Sequence, residues 1–230
     1  MISVCVTTFN GEKYIGEQLD SILSQIGMND EVIISDDSSV DNTIDIIESF
    51  NDSRIKLLKN NKYYNPIYNF ENALKKATGD YIFLSDQDDI WMNNKKLEMI
   101  NLLKDCDCVV SDAIVIDSNN NIINKSFFEL NKSKSGLINN IIKNGYLGCC
   151  MAFKRKILEK ALPFPKQIPM HDMWIGVIAE KYGSVLFYNK PLIYYRRHGN
   201  NHSSTAEKSQ YSIFKKIRNR FYLICNLIKY

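Results

Sequence analysis

The sequence predicts an α/β protein with a mostly parallel central sheet flanked by helices, ending in an amphipathic helical tail. Three observations carry this reading. Short apolar runs of strand type alternate with segments of helical periodicity, the pattern that parallel sheets require because neighbouring strands need a crossover between them. Polar segments follow three of the runs directly, at residues 7–10, 35–38 and 85–89, and two of the three are acidic. The last stretch, YSIFKKIRNRFYLICNLIKY, places Phe214, Ile217, Phe221, Ile224 and Ile228 on one helical face with the basic residues largely elsewhere.

Taken in order, ISVCVTT (residues 2–8) reads as a buried strand, and EKYIGEQLDSILSQ carries Ile15, Leu19, Ile22 and Leu23 at helical spacing. EVIIS (31–35) is a second strand, and NTIDIIESF a helix for which Asp41 is a suitable cap. IKLL (55–58) is a third strand. The helix NFENALKKA then finds a left-handed stop residue in Gly79. YIFLS (81–85) is the fourth strand. Beyond it, DCVVSDAIVID suggests a strand running toward a turn at 119–121. GLINNIIKNG and RKILEKAL read as short helices around an extended LGCCMAF. HDMWIGVIAEKYG is a helix from His171 or Asp172 to a stop at Gly183, and SVLFYNKPLIYYRRHG reads as two strands around a turn at 189–191.

Composition narrows the function. The 230 residues suffice for one sizeable domain with an appendage, and 45% hydrophobic and 24% charged residues are ordinary for a soluble globular chain. A net charge of +3 is too small to imply nucleic acid. From Lys208 onward there are six basic residues and no acidic one, which leaves −3 for residues 1–207 and assigns the basic character to the tail. Cys5, Cys106, Cys108, Cys149, Cys150 and Cys225 include no C-x-x-C pair, so thioredoxin-like and common zinc spacings are missing. No signal peptide is read at the N-terminus, and no apolar run approaches the ~20 residues of a membrane span. The expectation is a cytoplasmic, reduced protein.

GDYIFLSDQDDIW (79–91) runs from apolar residues into Asp86, Asp88 and Asp89. Clustered carboxylates without a neighbouring histidine or cysteine suit a hard divalent cation, Mn²⁺ or Mg²⁺. A solvated acidic loop is the alternative, but a tight cluster directly after an apolar strand favours the cation. The usual anionic partner of such an ion is a diphosphate. The chain offers no P-loop and no G-x-G-x-x-G after a strand, so an ion would have to carry the phosphates. An ionised carboxylate only accepts hydrogen bonds, which suits Asp36 or Asp37 to a pyrimidine ring N–H or to ribose hydroxyls.

VTTFNGEKYIGEQLDSILSQ, VIISDDSSVDNT, GDYIFLSDQDDIW and MHDMWIGVIAEKYG, in this order and spacing, resemble the signatures of family 2 glycosyltransferases, which have the GT-A fold. The forms SDQDDIW, GCCMAF and YYRRHGNN are similar to its bacterial rhamnosyltransferase-like branch. The resemblance covers roughly residues 1–203. It implies an inverting, metal-dependent transferase in surface polysaccharide synthesis. Such an enzyme moves a sugar, rhamnose among the candidates, from a UDP- or dTDP-linked donor to a hydroxyl of a glycan or lipid-linked oligosaccharide. It implies a GT-A domain over 1–205, with a nucleotide-binding half to about 111 and an acceptor half from about 112, followed by the tail 206–230. Residue by residue, it implies nucleotide contacts at Thr7, Thr8, Phe9, Asp36, Asp37, Asp86 and Asp88. It implies metal contacts at Asp88 and Asp89, and a general base at Asp172. One departure stands out: where many members carry R-N-x-G, this chain has NFENA, with Phe70 near the expected arginine.

Several readings stay open on sequence alone. Asp172 can be an N-cap, His171 an orienting or structural residue, and Arg196 and Arg197 phosphate contacts or surface groups. His198, in the segment that also holds His202, is a third metal ligand or a solvated loop residue. A non-catalytic nucleotide-sugar binder of the same fold is distinguished by whether both base and acidic cluster are present, and here both are. A sugar nucleotidyltransferase would carry a Gly-rich segment near its start, for which TTFNGEKY is poor. The tail either lies on an anionic membrane surface, making the protein peripheral at the inner face of the cell membrane, or packs on protein.

Overall fold

A computed structural model describes residues 1–198 and 212–230. His202 and the first residues of the expected tail lie outside the described residues. The first half comprises β1 (Ile2–Thr8), α1 (Ile15–Leu23), β2 (Glu31–Asp36), α2 (Thr43–Ser49), β3 (Ile55–Leu58), α3 (Pro66–Lys76) and β4 (Tyr81–Asp86). There follow β5 (Ile90–Trp91), α4 (Lys95–Leu102), β6 (Cys108–Ile116), β7 (Ile122–Asn124), α5 (Phe127–Asn131) and α6 (Leu137–Ile142). A 3₁₀ turn at Gly148–Cys150 leads into β8 (Met151–Lys154), then α7 (Arg155–Ala161), α8 (His171–Tyr182), β9 (Val185–Arg196) and α9 (Ile213–Lys229).

The nine strands form one sheet in the order β3-β2-β1-β4-β8-β6-β9-β5, with β7 beside β6. β1 lies between β2 and β4, parallel to both, and β3 is parallel to β2. β8 runs antiparallel to β4 and β6. Val4, Val6, Val32, Ile34, Ile82 and Leu84 are fully buried, as are the residues between them. Such unbroken apolar strands are what a sheet covered on both faces needs. Register then does the positioning: Thr8 stands beside Asp36, and Thr7 beside Asp86. The polar segments expected to converge are therefore neighbours at the carboxyl ends of three adjacent strands, where open α/β sheets bind ligands. The cysteines are free thiols, and all but the half-buried Cys225 are buried, in keeping with small apolar packing.

Two local expectations are corrected and two open alternatives are decided. SVLFYNKPLIYYRR is one strand, β9, not two: Ser111 pairs with Tyr188 and Asp112 with Pro191, so the expected turn is an irregularity within a continuous ladder. A bulge is where a sheet tolerates a proline that cannot donate. Gly79 does not terminate α3, which ends at Lys76 with Ala77 as an extended cap. The glycine is needed because a Cβ there would stand 2.6 Å from the Ser3 backbone nitrogen. Asp172 is not an N-cap: Met170 holds that position and Asp172 lies inside α8. In α9, the residues buried against the domain are Leu223 and Leu227 rather than the predicted apolar stripe, and Phe214 and Ile228 remain 81% and 77% exposed. Asp41 behaves nearly as expected, since its carboxylate accepts from the Thr43 N–H at the start of α2. Among the described residues no helix is long and apolar enough to cross a membrane.

The close approach at Gly79 yields a test. Gly79→Ala should lower the unfolding free energy by ~1–3 kcal/mol, the usual cost of overpacking, read as a lower urea midpoint at unchanged slope. A mere chain-reversal role would be relieved by asparagine, whereas a Cβ clash makes Gly79→Asn at least as damaging.

Candidate active site

The site is built at the ends of β1, β2 and β4. After β1 the chain turns sharply through Asn10, at φ 47°, and after β2 through Ser38, at φ 64°. Left-handed conformations of this kind cluster at ligand-binding turns. Asp36 is closed off: its Oδ2 accepts from Thr8 Oγ1 at 2.7 Å and from Ser39 Oγ at 2.6 Å, and its Oδ1 from the Ser39 N–H at 2.8 Å. Asp37 accepts from the Tyr63 and Asn65 N–H groups, one on each oxygen, at 2.6 and 3.1 Å. A carboxylate has about four acceptor positions, so Asp37 retains capacity that Asp36 has spent. Thr7 is nearly buried, and the Phe9 ring is 51% exposed at the rim.

Gln87 fixes that rim. Its Oε1 accepts from the Phe9 N–H at 2.9 Å while its Nε2 donates to the Phe9 carbonyl at 3.1 Å, and a Cβ on Gly11 would collide with it. Gln18 of α1, fully buried, donates to Ser85 Oγ and to the Asp86 carbonyl. Neither glutamine was foreseen. Gln18 did leave a signal, as a polar residue on the helix face that carries Ile15 and Ile22.

The three carboxylates have separate surroundings. Asp88 Oδ2 lies 2.8 Å from His198 Nε2, and the His198 ring stacks on Tyr14 at 5.0 Å. Asp89 is fully buried: its Oδ1 accepts from the Arg196 N–H at 2.9 Å, while its Oδ2 has no hydrogen-bond partner. Burial, with Asp88 and then Asp172 adding repulsion, raises Asp86 to about 7. Burial and the two other carboxylates hold Asp89 well above the usual range. Arg196 is a buried clamp, donating to the Asp88 carbonyl at 2.7 Å, to Asn120 and to Glu17 Oε2 at 2.6 Å. Its guanidinium is thus committed to protein groups and does not serve as the phosphate contact considered from sequence. Arg197 donates to the Tyr195 hydroxyl.

Across the site stands the start of α8. Asp172 is buried and its carboxyl is raised to about 6 by that burial, restrained by hydrogen bonds from the Met173 N–H, the Asn144 side chain and the Gly148 backbone. His171 is also buried, has no partner on either ring nitrogen, and stacks on Phe70 at 3.9 Å. Burial lowers its pKa to about 3, so it is a neutral, internal ring. Phe70, at the position where an arginine was looked for, packs in the core and supplies no charge to the site.

The donor set can be tested against a divalent cation. Ligand atoms of Asp86, Asp89 and Cys149 lie within 4.8 Å of one another. Cys149, its thiol pushed well up by burial, is the soft member and does not suit a hard ion. Asp88 and His198 form the outer pair. Cis ligands of an octahedral ion bonded at ~2.1 Å stand ~3 Å apart, close to the spacing these two atoms already have. The carboxylates, Asp89 among them, and the imidazole therefore fit a cation.

Comparison with known proteins agrees with this geometry. The family described as Glycosyl transferase family 2 matches residues 3–162, and the chain belongs to that family. It is 30% identical over 186 residues to the UDP-Glc:alpha-D-GlcNAc-diphosphoundecaprenol beta-1,3-glucosyltransferase WfgD of Escherichia coli, covering 78% of this chain and 70% of that protein. It is 29% identical to the dTDP-rhamnosyl transferase RfbG of Shigella flexneri, over 94% of this chain and 80% of that one. The crystal structure of S. aureus TarS 1–349 in complex with UDP-GlcNAc superposes with a TM-score of 0.73 at 22% identity, covering 98% of this chain and 66% of that one. The fold is GT-A, and the protein is a glycosyltransferase by class.

The Arg196 clamp should be needed for stability. Arg196→Met leaves the Asp88 carbonyl without its donor and the exposed Glu17 without its cation, and a loss of ~1–3 kcal/mol is expected, mostly from the buried acceptor. Thermal or urea unfolding reads it; a wild-type midpoint would return Arg196 to the role of a surface-type phosphate contact.

Proposed function

We propose that the protein is an inverting, metal-dependent transferase. It moves a sugar from a UDP- or dTDP-linked donor to a hydroxyl of a glycan or lipid-linked oligosaccharide during bacterial surface polysaccharide synthesis. One observation carries the reading: a Cβ on Gly148 would stand 3.7 Å from the Asp172 Cβ, and the next residue, Cys149, has its sulfur within 4.8 Å of carboxylate oxygens of Asp86 and Asp89, so a buried carboxyl and an acidic, cation-suited strand end share one site. Two relatives, named for transfer from UDP-Glc to an alpha-D-GlcNAc-diphosphoundecaprenol and for dTDP-rhamnosyl transfer, support the donor and acceptor classes. Rhamnose is one candidate sugar among these.

In this reading Thr7, Thr8 and the exposed Phe9 ring border the nucleobase, and Asp37 accepts its ring N–H while Asp36 holds the turn. Asp86 receives the ribose hydroxyls. Asp88, Asp89 and His198 would hold Mn²⁺ or Mg²⁺, and Asp89 Oδ1 also accepts from the backbone of β9. When bound, the ion supplies neutralisation of charge growing on the departing diphosphate. Asp172 takes the proton of the acceptor hydroxyl as its oxygen bonds to the anomeric carbon from the face opposite the diphosphate. The carbon–oxygen bond to the diphosphate breaks, configuration inverts, and the nucleotide leaves with the electron pair. The neutral His171 and Phe70 provide the apolar wall that keeps the Asp172 pKa high.

Nucleotide binding should depend on the cation. Calorimetry with UDP or dTDP should show binding in Mn²⁺ that disappears in excess chelator, and Asp88→Ala should lose nucleotide and metal binding together. Tight diphosphate binding in chelator would sink the metal assignment. Asp172→Asn should retain donor binding but lower transfer by ~10²–10⁴-fold, the span for losing a general base. The wild-type kcat/KM should fall as pH drops through about 6, because protonated Asp172 can accept nothing, and should level off above it. A flat profile from pH ~5 to ~8 would contradict the base assignment.

A further inference from the structure

The docking of α9 leaves its apolar stripe uncovered. We propose that this stripe, with the adjoining end of α6, is a binding surface for an anionic lipid bilayer; this deepens the lipid-linked acceptor reading above. The helix is already fixed to the domain by another face. Leu223 and Leu227 are buried, Lys181 Nζ donates to the Leu227 carbonyl at 2.7 Å, and Asn226 Nδ2 donates to the Gln167 carbonyl at 2.8 Å. The stripe is therefore not a face awaiting its own domain. Phe214, Ile217, Phe221 and Ile228 are each more than 60% exposed, and Ile224 lies among them. Arg220 Nη2 donates to the Ile142 carbonyl at 3.0 Å, bringing the end of α6 alongside. There Ile138 and Ile142, one turn apart, are 72% and 68% exposed.

Charge selects the occupant. At ~100° per residue, Arg218 and Lys229 flank the stripe on the side away from Leu223 and Leu227, and α9 has no acidic residue. A two-fold dimer through this patch would bring these cations against an identical pair, since such an interface meets itself. Anionic headgroups complement the same cations, while the aromatic and aliphatic stripe enters the acyl boundary. Geometry and charge together fit a bilayer better than a second copy.

Cosedimentation of the full chain with vesicles tests this. Wild type should pellet with phosphatidylcholine vesicles containing phosphatidylglycerol, and much less with phosphatidylcholine alone. Phe214→Glu/Phe221→Glu should abolish pelleting. Arg218→Gln/Lys229→Gln should weaken it by roughly tenfold or more, two surface cations' share. Thermal stabilisation by UDP with Mn²⁺ should be unchanged in both variants, which reports that the fold and the nucleotide site are intact. Absence of vesicle binding by wild type would overturn the proposal. So would a dimer in sedimentation velocity that Phe214→Glu/Phe221→Glu turns into monomer without any vesicle binding, since that assigns the face to a second copy. Either result leaves the transfer reading standing; conversely, vesicle binding without sugar transfer would defeat only the latter.

Discussion

The parallel register of β2, β1 and β4 is the constraint on which the site depends. Because Thr8 is paired with Asp36 and Thr7 with Asp86, three chain segments distant in sequence end side by side with their polar residues aligned. A one-residue slip would turn each strand's side chains over, burying the acidic ends in the sheet interior. That register is held by apolar runs covered on both faces and by buried polar ties at the opposite end of the sheet. Glu31 accepts from Ser3 Oγ and from the Thr78 N–H there, and its carboxyl is lowered to about 2, burial opposing the shift and these donors with Lys56 producing it.

The two ends of the sheet treat their carboxylates in opposite ways. Glu31 has a cation, two hydroxyls and a backbone donor, and it stays ionised. Asp86 and Asp89 are pushed up by burial and by their neighbours, and one Asp89 oxygen has no partner at all. Leaving a buried acceptor unpaired costs ~1–3 kcal/mol, so an assembly of this kind is sustained by something it gains in function. A cation held there would provide the missing positive charge, and its binding would then stabilise the fold.

Much of this was legible in the sequence. Alternating strand and helix signals gave the parallel half, and the acidic residues directly after apolar runs marked the site, because strand ends are set by the length of the apolar run. The Asp88–His198 pair was reachable only as one alternative, since no local pattern tells how β9 returns to the end of β4. Asp36 and Asp37 looked equivalent as neighbours; only tertiary hydrogen bonds distinguish the saturated carboxylate from the available one. Arg196 read as a phosphate contact or a surface group because its partners Glu17 and Asn120 lie far away in sequence. The tail periodicity was correctly helical, yet it did not reveal which face would dock. Leu223 and Leu227 make a second, shorter apolar face beside the dominant one.

The substitution of Phe70 for the expected arginine is explained by its contact with His171 rather than by anything about the donor. A ring at 3.9 Å over a neutral, unpartnered imidazole excludes water from the residue next to Asp172. An arginine in that place would bring a positive charge, favouring the ionised carboxylate and lowering its pKa. With Phe70 that charge is absent, and burial leaves the Asp172 carboxyl raised to about 6.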